Sequence, residues 1–297
     1  MDDHRRGLAF GLAAYLSWGF VPVFFKLLKT VPAPEIIAHR ILWSVLFLSA
    51  ILIAIGGLRG LAAVIRDRAV MRALLASALL IGVNWTIYVW AVVNGHLLAA
   101  SLGYFLNPLL NIMLGVLVLK ESLSRSQKIA IVLAAVGVVV AAAGALDQLW
   151  ISLVLATSFA LYGLIRKVTP VGAIAGLAVE TALLAPLCLG WLIWQGMHGI
   201  SAFGHDRPTD ALLILSAVVT SVPMMFFAAA ARRIPYSTLG VLQYVAPSIV
   251  FLLGIFVYGE PLRPAMLVAF VLIWAGLIVF TVDMVRRPRP APAVVTE

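Results

Sequence analysis

Long, continuous runs of apolar residues alternate with short polar breaks along the whole chain. Ten such runs lie near 7-28, 34-55, 72-93, 98-118, 127-145, 149-166, 173-195, 211-231, 237-257 and 264-284. Each is long enough to cross a hydrocarbon core of ~30 Å. They are too long and too evenly apolar to be barrel strands, so the pattern predicts transmembrane helices. The longest break, near 196-210, is Gly-rich and polar. The stretch after Arg286 is Pro-rich and reads as a disordered tail, 286-297.

Composition agrees with this pattern. Of 297 residues, 63% are hydrophobic and 11% charged, whereas a soluble domain is about half apolar and a quarter charged. The chain is therefore expected to be a multi-pass membrane protein with the lipid bilayer as its main partner. Its net charge of +9 raises the question of nucleic acid, but the basic residues sit in the breaks rather than on one stripe, and no nucleic-acid partner is expected. Cys188 is the single cysteine, so neither a disulfide framework nor a thiolate metal site is expected, and no cofactor. Arg5 and Arg6 precede an apolar stretch longer than a signal-peptide core, which predicts a retained first span.

Lys and Arg set the orientation. With the N-terminus in the cytoplasm, Lys26, Lys29, Arg40, Arg207 and Arg263 face outward, and the rest of the 21 basic residues face inward. Both termini are then cytoplasmic. A repeat is also legible. Residues 108-123, PLLNIMLGVLVLKESL, answer 247-262, PSIVFLLGIFVYGEPL. Pro108 aligns with Pro247, Gly115 with Gly254 and Glu121 with Glu260. Span four thus corresponds to span nine. Five spans per half is an odd number, so the two halves, 1-146 and 147-285, are expected to be inverted relative to each other.

Several stretches carry a further resemblance: AAYLSWGFVPVFFK at 13-26, AHRILWS at 38-44, 84-115, ALYGLIRK at 160-167, ETALLAP at 180-186 and STLGVLQYVAP at 237-247. Together they resemble the EamA-type permeases of the drug/metabolite transporter superfamily, within them the RarD group. The resemblance covers essentially the whole chain. It implies a ten-span carrier of the bacterial inner membrane, built as two inverted five-helix halves, with a small-molecule substrate. It implies no particular substrate.

The candidate site residues interrupt the apolar runs. Pro108 and Pro247 have no N–H, so the carbonyls of Tyr104 and Gln243 lose their helical partners. Helix kinks at matching places in two halves point to a midplane transport site; a plain kink is the alternative. Tyr104, Asn107 and Asn111 share one helix face, and Asn84, Trp85 and Tyr88 another. Such faces can line a pathway for a flat amphipathic solute or serve as interhelical glue. Tyr15, Trp18, Tyr162, Gln243 and Tyr244 complete the expected pathway. Arg40 can meet an anionic group of a substrate, pair with a carboxylate, or reach the interface along its own stem. Glu180 lies well inside span seven with no charge beside it in sequence. It is the candidate proton-coupling carboxylate, a structural hydrogen-bonded Glu being the alternative. His39 is a second titratable candidate. Glu121 and Glu260 read as structural residues at span ends.

Together these features predict an all-α membrane protein acting as a secondary active transporter. It would move a small organic metabolite or drug by alternating access, with proton-coupled export. There is no P-loop. An intramembrane enzyme or a channel is the alternative. The histidines are scattered, with no H-E-x-x-H, which argues against a metalloenzyme.

Overall fold

The structure, a computed structural model, describes residues 3–93, 97–142, 149–257 and 264–286. Among these there are twelve α-helices and no strand. They are α1 (Asp3–Leu27), α2 (Ala33–Ala54), α3 (Leu58–Arg66), α4 (Arg68–Val93), α5 (Leu97–Leu117) and α6 (Arg125–Ala142), followed by α7 (Leu149–Val168), α8 (Ala173–Met197), α9 (Arg207–Ala231), α10 (Tyr236–Leu242), α11 (Val245–Phe256) and α12 (Pro264–Arg286). The expected boundary between halves at 146-147 lies outside the described residues, as do His96, Glu260, Arg263 and residues 287-297 of the tail.

Seven stretches are long and apolar enough to cross a membrane among the described residues, including α1, α2, α7, α8 and α9 entire. The other two are Arg68–Ala91 of α4 and Tyr236–Leu253, which joins α10 to α11. The remaining three expected spans coincide with α5, α6 and α12. The exterior departs from that of a water-soluble fold. Leu46, Ile53, Leu79, Val139 and Leu187 are exposed, whereas Ser44, Ser77, Asn84, Asn111, Ser152 and Glu180 are buried. An apolar exterior with polar groups buried in a largely apolar interior suits a lipid solvent, because every buried polar group must then find its partner inside the protein.

Two local features depart from the sequence pattern. The break between the second and third spans contains α3, whose Leu61 and Val64 pack against Val70, Leu74 and Val171. It is shorter than a span, so an apolar-run reading does not register it. The two prolines also behave differently. α5 stays helical through Pro108, whereas the ninth span divides at Gln243–Tyr244. There the Gln243 carbonyl, denied its usual partner by Pro247, accepts from the Ala246 N–H at 3.2 Å. Among the described residues the helix is divided beside Pro247 and continuous through Pro108.

Helix ends are fixed by borrowed groups. Lys120 takes φ 58, which turns the chain out of α5 and lets the Glu121 N–H reach the Gly115 carbonyl at 2.9 Å. The Glu121 carboxylate then accepts from the N–H groups of Tyr236 (2.7 Å) and Ser237 (3.0 Å), supplying the N-terminal acceptor that α10 lacks in its own sequence. α1 packs on α9, α4 on α7, α2 on α8 and α9, α4 on α8, α5 on α7 and α10, α1 on α11, and α6 on α12. Close approach of α10 to α5 needs Gly240, since a Cβ there would stand 2.9 Å from the Pro108 carbonyl oxygen.

Candidate functional site

Most side-chain hydrogen bonds between helices join one of α1–α6 to one of α7–α12. Four clusters lie along this seam.

The first centres on Arg40, two turns into α2. Its side chain is buried, and its Nε donates to Thr220 Oγ1 of α9 at 2.7 Å. The guanidinium carbon sits 4.9 Å from the Trp85 ring centroid and 5.2 Å from that of Phe25. Tyr88 and Tyr104, edge to face with centroids 5.5 Å apart, lie within its electrostatic reach. Among the described residues no carboxylate comes within 4.0 Å of Arg40, and its two Nη atoms have no hydrogen-bond partner. The pairing alternative therefore finds no support among the described residues. Arg40, Trp85, Tyr88 and Tyr104, separate candidates in the sequence, are neighbours in the fold. Phe25 and Thr220 were not foreseen, because both are ordinary residues of apolar runs.

The second cluster centres on Glu180, two turns into α8 and buried. Ser77 Oγ of α4 donates to its Oε1 at 2.5 Å, and the Tyr162 hydroxyl of α7 lies 3.4 Å from Oε2. Arg166 Nη1 stands 3.7 Å from Oε1, and its Nη2 donates to the carbonyls of Gly172 (3.3 Å) and Ala173 (3.2 Å). Sequence reasoning had placed Arg166 among the cytoplasmic basic residues and left Glu180 without a nearby charge. The α7–α8 turn reverses the chain and brings the two together. Gly176, one turn before Glu180, leaves the room: a Cβ there would overlap the Arg166 guanidinium. A Gly one turn before a buried Glu was the available signal.

An aromatic group adjoins the Glu180 cluster through Tyr162. Trp18 packs on Tyr15 (5.5 Å), Phe159 (5.6 Å) and Phe227 (5.7 Å), and Tyr162 stacks on Phe227 at 6.1 Å. The Tyr15 hydroxyl is buried with no hydrogen-bond partner among the described residues.

The third cluster lies beside the ninth-span break. Asn111 Nδ2 donates to Gln243 Oε1 at 2.8 Å, and the Tyr244 hydroxyl lies 3.5 Å from the Phe105 carbonyl. Asn84 is likewise committed between helices, its Nδ2 donating to the Leu155 carbonyl (2.8 Å) and to Ser158 Oγ (3.0 Å). Asn107 is buried, with Oδ1 unpartnered among the described residues. For Asn84, Asn111 and Gln243 the geometry is that of interhelical glue. A small apolar recess near 112, 241 and 244 lies in the same region.

The fourth cluster ties the 196-210 loop to α2. Glu35, fully buried, accepts through Oε1 from Ser201 Oγ (2.9 Å), Ala202 N–H (2.7 Å) and Phe203 N–H (3.2 Å). His39 stacks on Phe203 at 4.7 Å, accepts at Nδ1 from Trp43 Nε1 (3.2 Å) and places Nε2 4.0 Å from Glu35. Glu35 escaped the sequence reading because it stands at a helix start, where an acidic residue is commonplace. Among the described residues no three His, Cys, Asp or Glu side chains gather where they could hold a metal ion.

Comparison with known proteins gives consistent matches. The profile of the EamA-like transporter family matches residues 5–143 and again 148–282. An uncharacterized transporter from Pseudomonas aeruginosa is 48% identical, the alignment covering 97% of both chains. Protein RarD from Streptomyces exfoliatus is 43% identical over 98% of this chain and 93% of that one. Protein RarD from Escherichia coli is 41% identical over 96% and 97%. A solved crystal structure superposes with a TM-score of 0.72, covering 95% of this chain and 99% of that one. At 20% identity it speaks for the fold alone.

Proposed function

Because the chain belongs to the EamA-like transporter family and is a multi-pass membrane transporter, we propose that it is a secondary active carrier. It exports a small organic metabolite or drug across the bacterial inner membrane, by alternating access and in exchange for protons. Ten spans form two inverted halves, 1-146 and 147-285, with both termini in the cytoplasm.

The observation that carries this reading is the polar seam between the halves. Arg40–Thr220, Ser77–Glu180, Asn84–Ser158, Asn111–Gln243 and Ser44–Ser221 each join one half to the other. Each such bond can be exchanged for bonds to water when the halves separate, because water meets the same donors and acceptors. An apolar seam would have to hydrate hydrocarbon instead, which is unfavourable. The reading also draws support from the packing. Exchanging the first five spans for the second five maps α1–α9 onto α4–α7 and α2–α9 onto α4–α8, and leaves α2–α8 and α6–α12 unchanged. The double profile match and the Lys and Arg bias agree with it.

In this reading Glu180 is the proton site. Its carboxylate is shared by Ser77, Tyr162 and Arg166, groups on α4 and α7. Taking up a proton removes the negative charge that holds Arg166, and so loosens α8 from both neighbours. His39, on the loop-facing end of α2, is the second titratable group. The aromatic group around Trp18, which adjoins the Glu180 cluster through Tyr162, is the barrier a solute must pass.

The test uses proteoliposomes holding a trapped pH dye, challenged with a metabolite and antibiotic panel. A carrier gives saturable, solute-dependent proton movement, abolished in Glu180→Gln. Solute flux that ignores an imposed pH gradient refutes the proton step. Chemical conversion of a panel member without net movement, or non-saturating current, refutes the carrier itself.

A further inference from the structure

Arg40 narrows the class of solute. A guanidinium inside a span is costly, and such residues are normally paired, snorkelled to the interface, or part of a solute pathway. Arg40 is 7% exposed, so it does not reach out. Glu35, Glu121 and Glu180 are engaged by the 196-210 loop, by α10 and by Arg166, and none lies within 4.0 Å of Arg40. What touches it is aromatic or hydroxylic. Trp85 and Phe25 attract a cation through their ring faces but give it no charge to cancel. Thr220 fixes Nε and so sets the direction of the guanidinium plane, leaving both Nη groups without a hydrogen-bond partner among the described residues. Two parallel N–H donors on a clamped, planar cation match a carboxylate's two oxygens.

Resting on the carrier reading above, we propose that Arg40 is the recognition site for an organic anion, a carboxylate on a flat or aromatic body. The carboxylate pairs with the two Nη groups, and the body lies against Trp85, Tyr88 and Tyr104. Binding neutralises Arg40, so the loaded site switches access with less uncompensated charge than the empty one. The geometry disfavours a cationic solute at this place, since like charges would then meet at low dielectric.

The probe is benzoate, set against its neutral isostere benzamide and the cation benzylamine. The protein is purified in detergent with 5-fluorotryptophan incorporated, and the Trp85 fluorine resonance is assigned from Trp85→Phe. Benzoate at up to tens of millimolar shifts that resonance saturably, and benzamide and benzylamine bind at least about tenfold more weakly. Arg40→Gln removes the benzoate response, Arg40→Lys keeps part of it, and Thr220→Val weakens it while leaving the charge in place. An equal response to benzamide overturns the proposal, as does no response to benzoate in the folded wild type. An unchanged benzoate response in Arg40→Gln does the same. The wild-type comparison needs no variant and so stands even if Arg40→Gln fails to fold. Flux is scored separately. A benzoate-specific Trp85 shift without transport of any panel member keeps the anion site and refutes the carrier, whereas saturable flux of neutral solutes with a silent Trp85 refutes the anion site alone.

Discussion

Arg40 and Glu180 hold the same place in helices that pack on each other: each stands seven residues after the first residue of its helix, Ala33 of α2 and Ala173 of α8. Each is hydrogen-bonded by a hydroxyl from the other half, Thr220 on α9 for Arg40 and Ser77 on α4 for Glu180. The surroundings differ in one respect. Glu180 has Arg166 at 3.7 Å, and Arg40 has aromatic rings. Two packed helices thus carry an Arg and a Glu at matching positions, the Glu with an ion-pair partner and the Arg with none among the described residues.

That balance can be measured. Removing one member of a buried ion pair strands the other, at a typical cost of about 3–5 kcal/mol. Glu180→Leu and Arg166→Leu are each expected to lower the thermal midpoint strongly. Their double mutant should lose clearly less than the sum, because no stranded charge is left. Additive losses in a thermal-unfolding cycle would mean that the two groups do not stabilise each other.

The Asn111–Gln243 bond offers a smaller effect with a definite sign. Hydrogen bonds between membrane helices average about 0.6 kcal/mol, reaching about 1.7. Asn111→Leu and Gln243→Leu should each cost about 1–2 kcal/mol, because each leaves a buried amide unsatisfied. The combined variant should recover part of that loss. If transport affinity falls in both single variants while thermal stability holds, these amides belong to the solute pathway and not to the packing.

Gly240 and Gly190 test the backbone contacts. In Gly240→Ala the new methyl meets the Pro108 carbonyl at 2.9 Å and Asn111 Cβ at 3.0 Å, neither of which can swing away. A loss of about 1–3 kcal/mol is expected from overpacking. Nothing lies within 4 Å of a Cβ at Gly190 of α8, so Gly190→Ala should be neutral or gain up to about 1 kcal/mol in helix propensity. Equal midpoints for the two variants would contradict the close α5–α10 approach.

How far the sequence disclosed these features depended on the distance over which each is decided. Apolar runs specify helices locally, so the sites of α1, α2 and α4–α12 could be read directly. The clustering of Arg40, Trp85, Tyr88 and Tyr104 could not, because it joins three helices, α2, α4 and α5, and helical spacing relates only Trp85 to Tyr88. Glu121 was legible as a repeated residue at a span end. Its service to α10 was not, since that depends on Lys120 turning the chain and on helix packing 115 residues away. Arg166 was misleading for a related reason: beside Lys167 at a helix end it has the sequence signature of an interfacial anchor, and only the α7–α8 turn directs it inward. Pro108 and Pro247 share a motif, yet only the second divides its helix. A missing N–H removes one bond but does not decide whether neighbouring groups will hold the helix together.

The loop latch at Glu35 gives the last expectation. One carboxylate oxygen collects the Ala202 and Phe203 N–H groups and the Ser201 hydroxyl, so residues 201-203 are tied to a residue on α2. Glu35→Ala removes all three acceptor contacts, leaving the Ala202 N–H to water or to nothing and the Phe203 N–H to Ser201 Oγ at 3.2 Å alone. Their amide hydrogen exchange should accelerate by about tenfold or more, since charge-assisted bonds are each worth about 1.5–3 kcal/mol. Exchange in α9 beyond its first turn should change little, because Asp206 caps that helix on its own through Thr209. Glu35→Gln separates charge from shape: a neutral carbonyl still accepts, so partial protection is expected. If Glu35→Ala leaves exchange at 202 and 203 unaltered while opening α2 itself, the buried carboxylate stabilises its own helix start and not the loop.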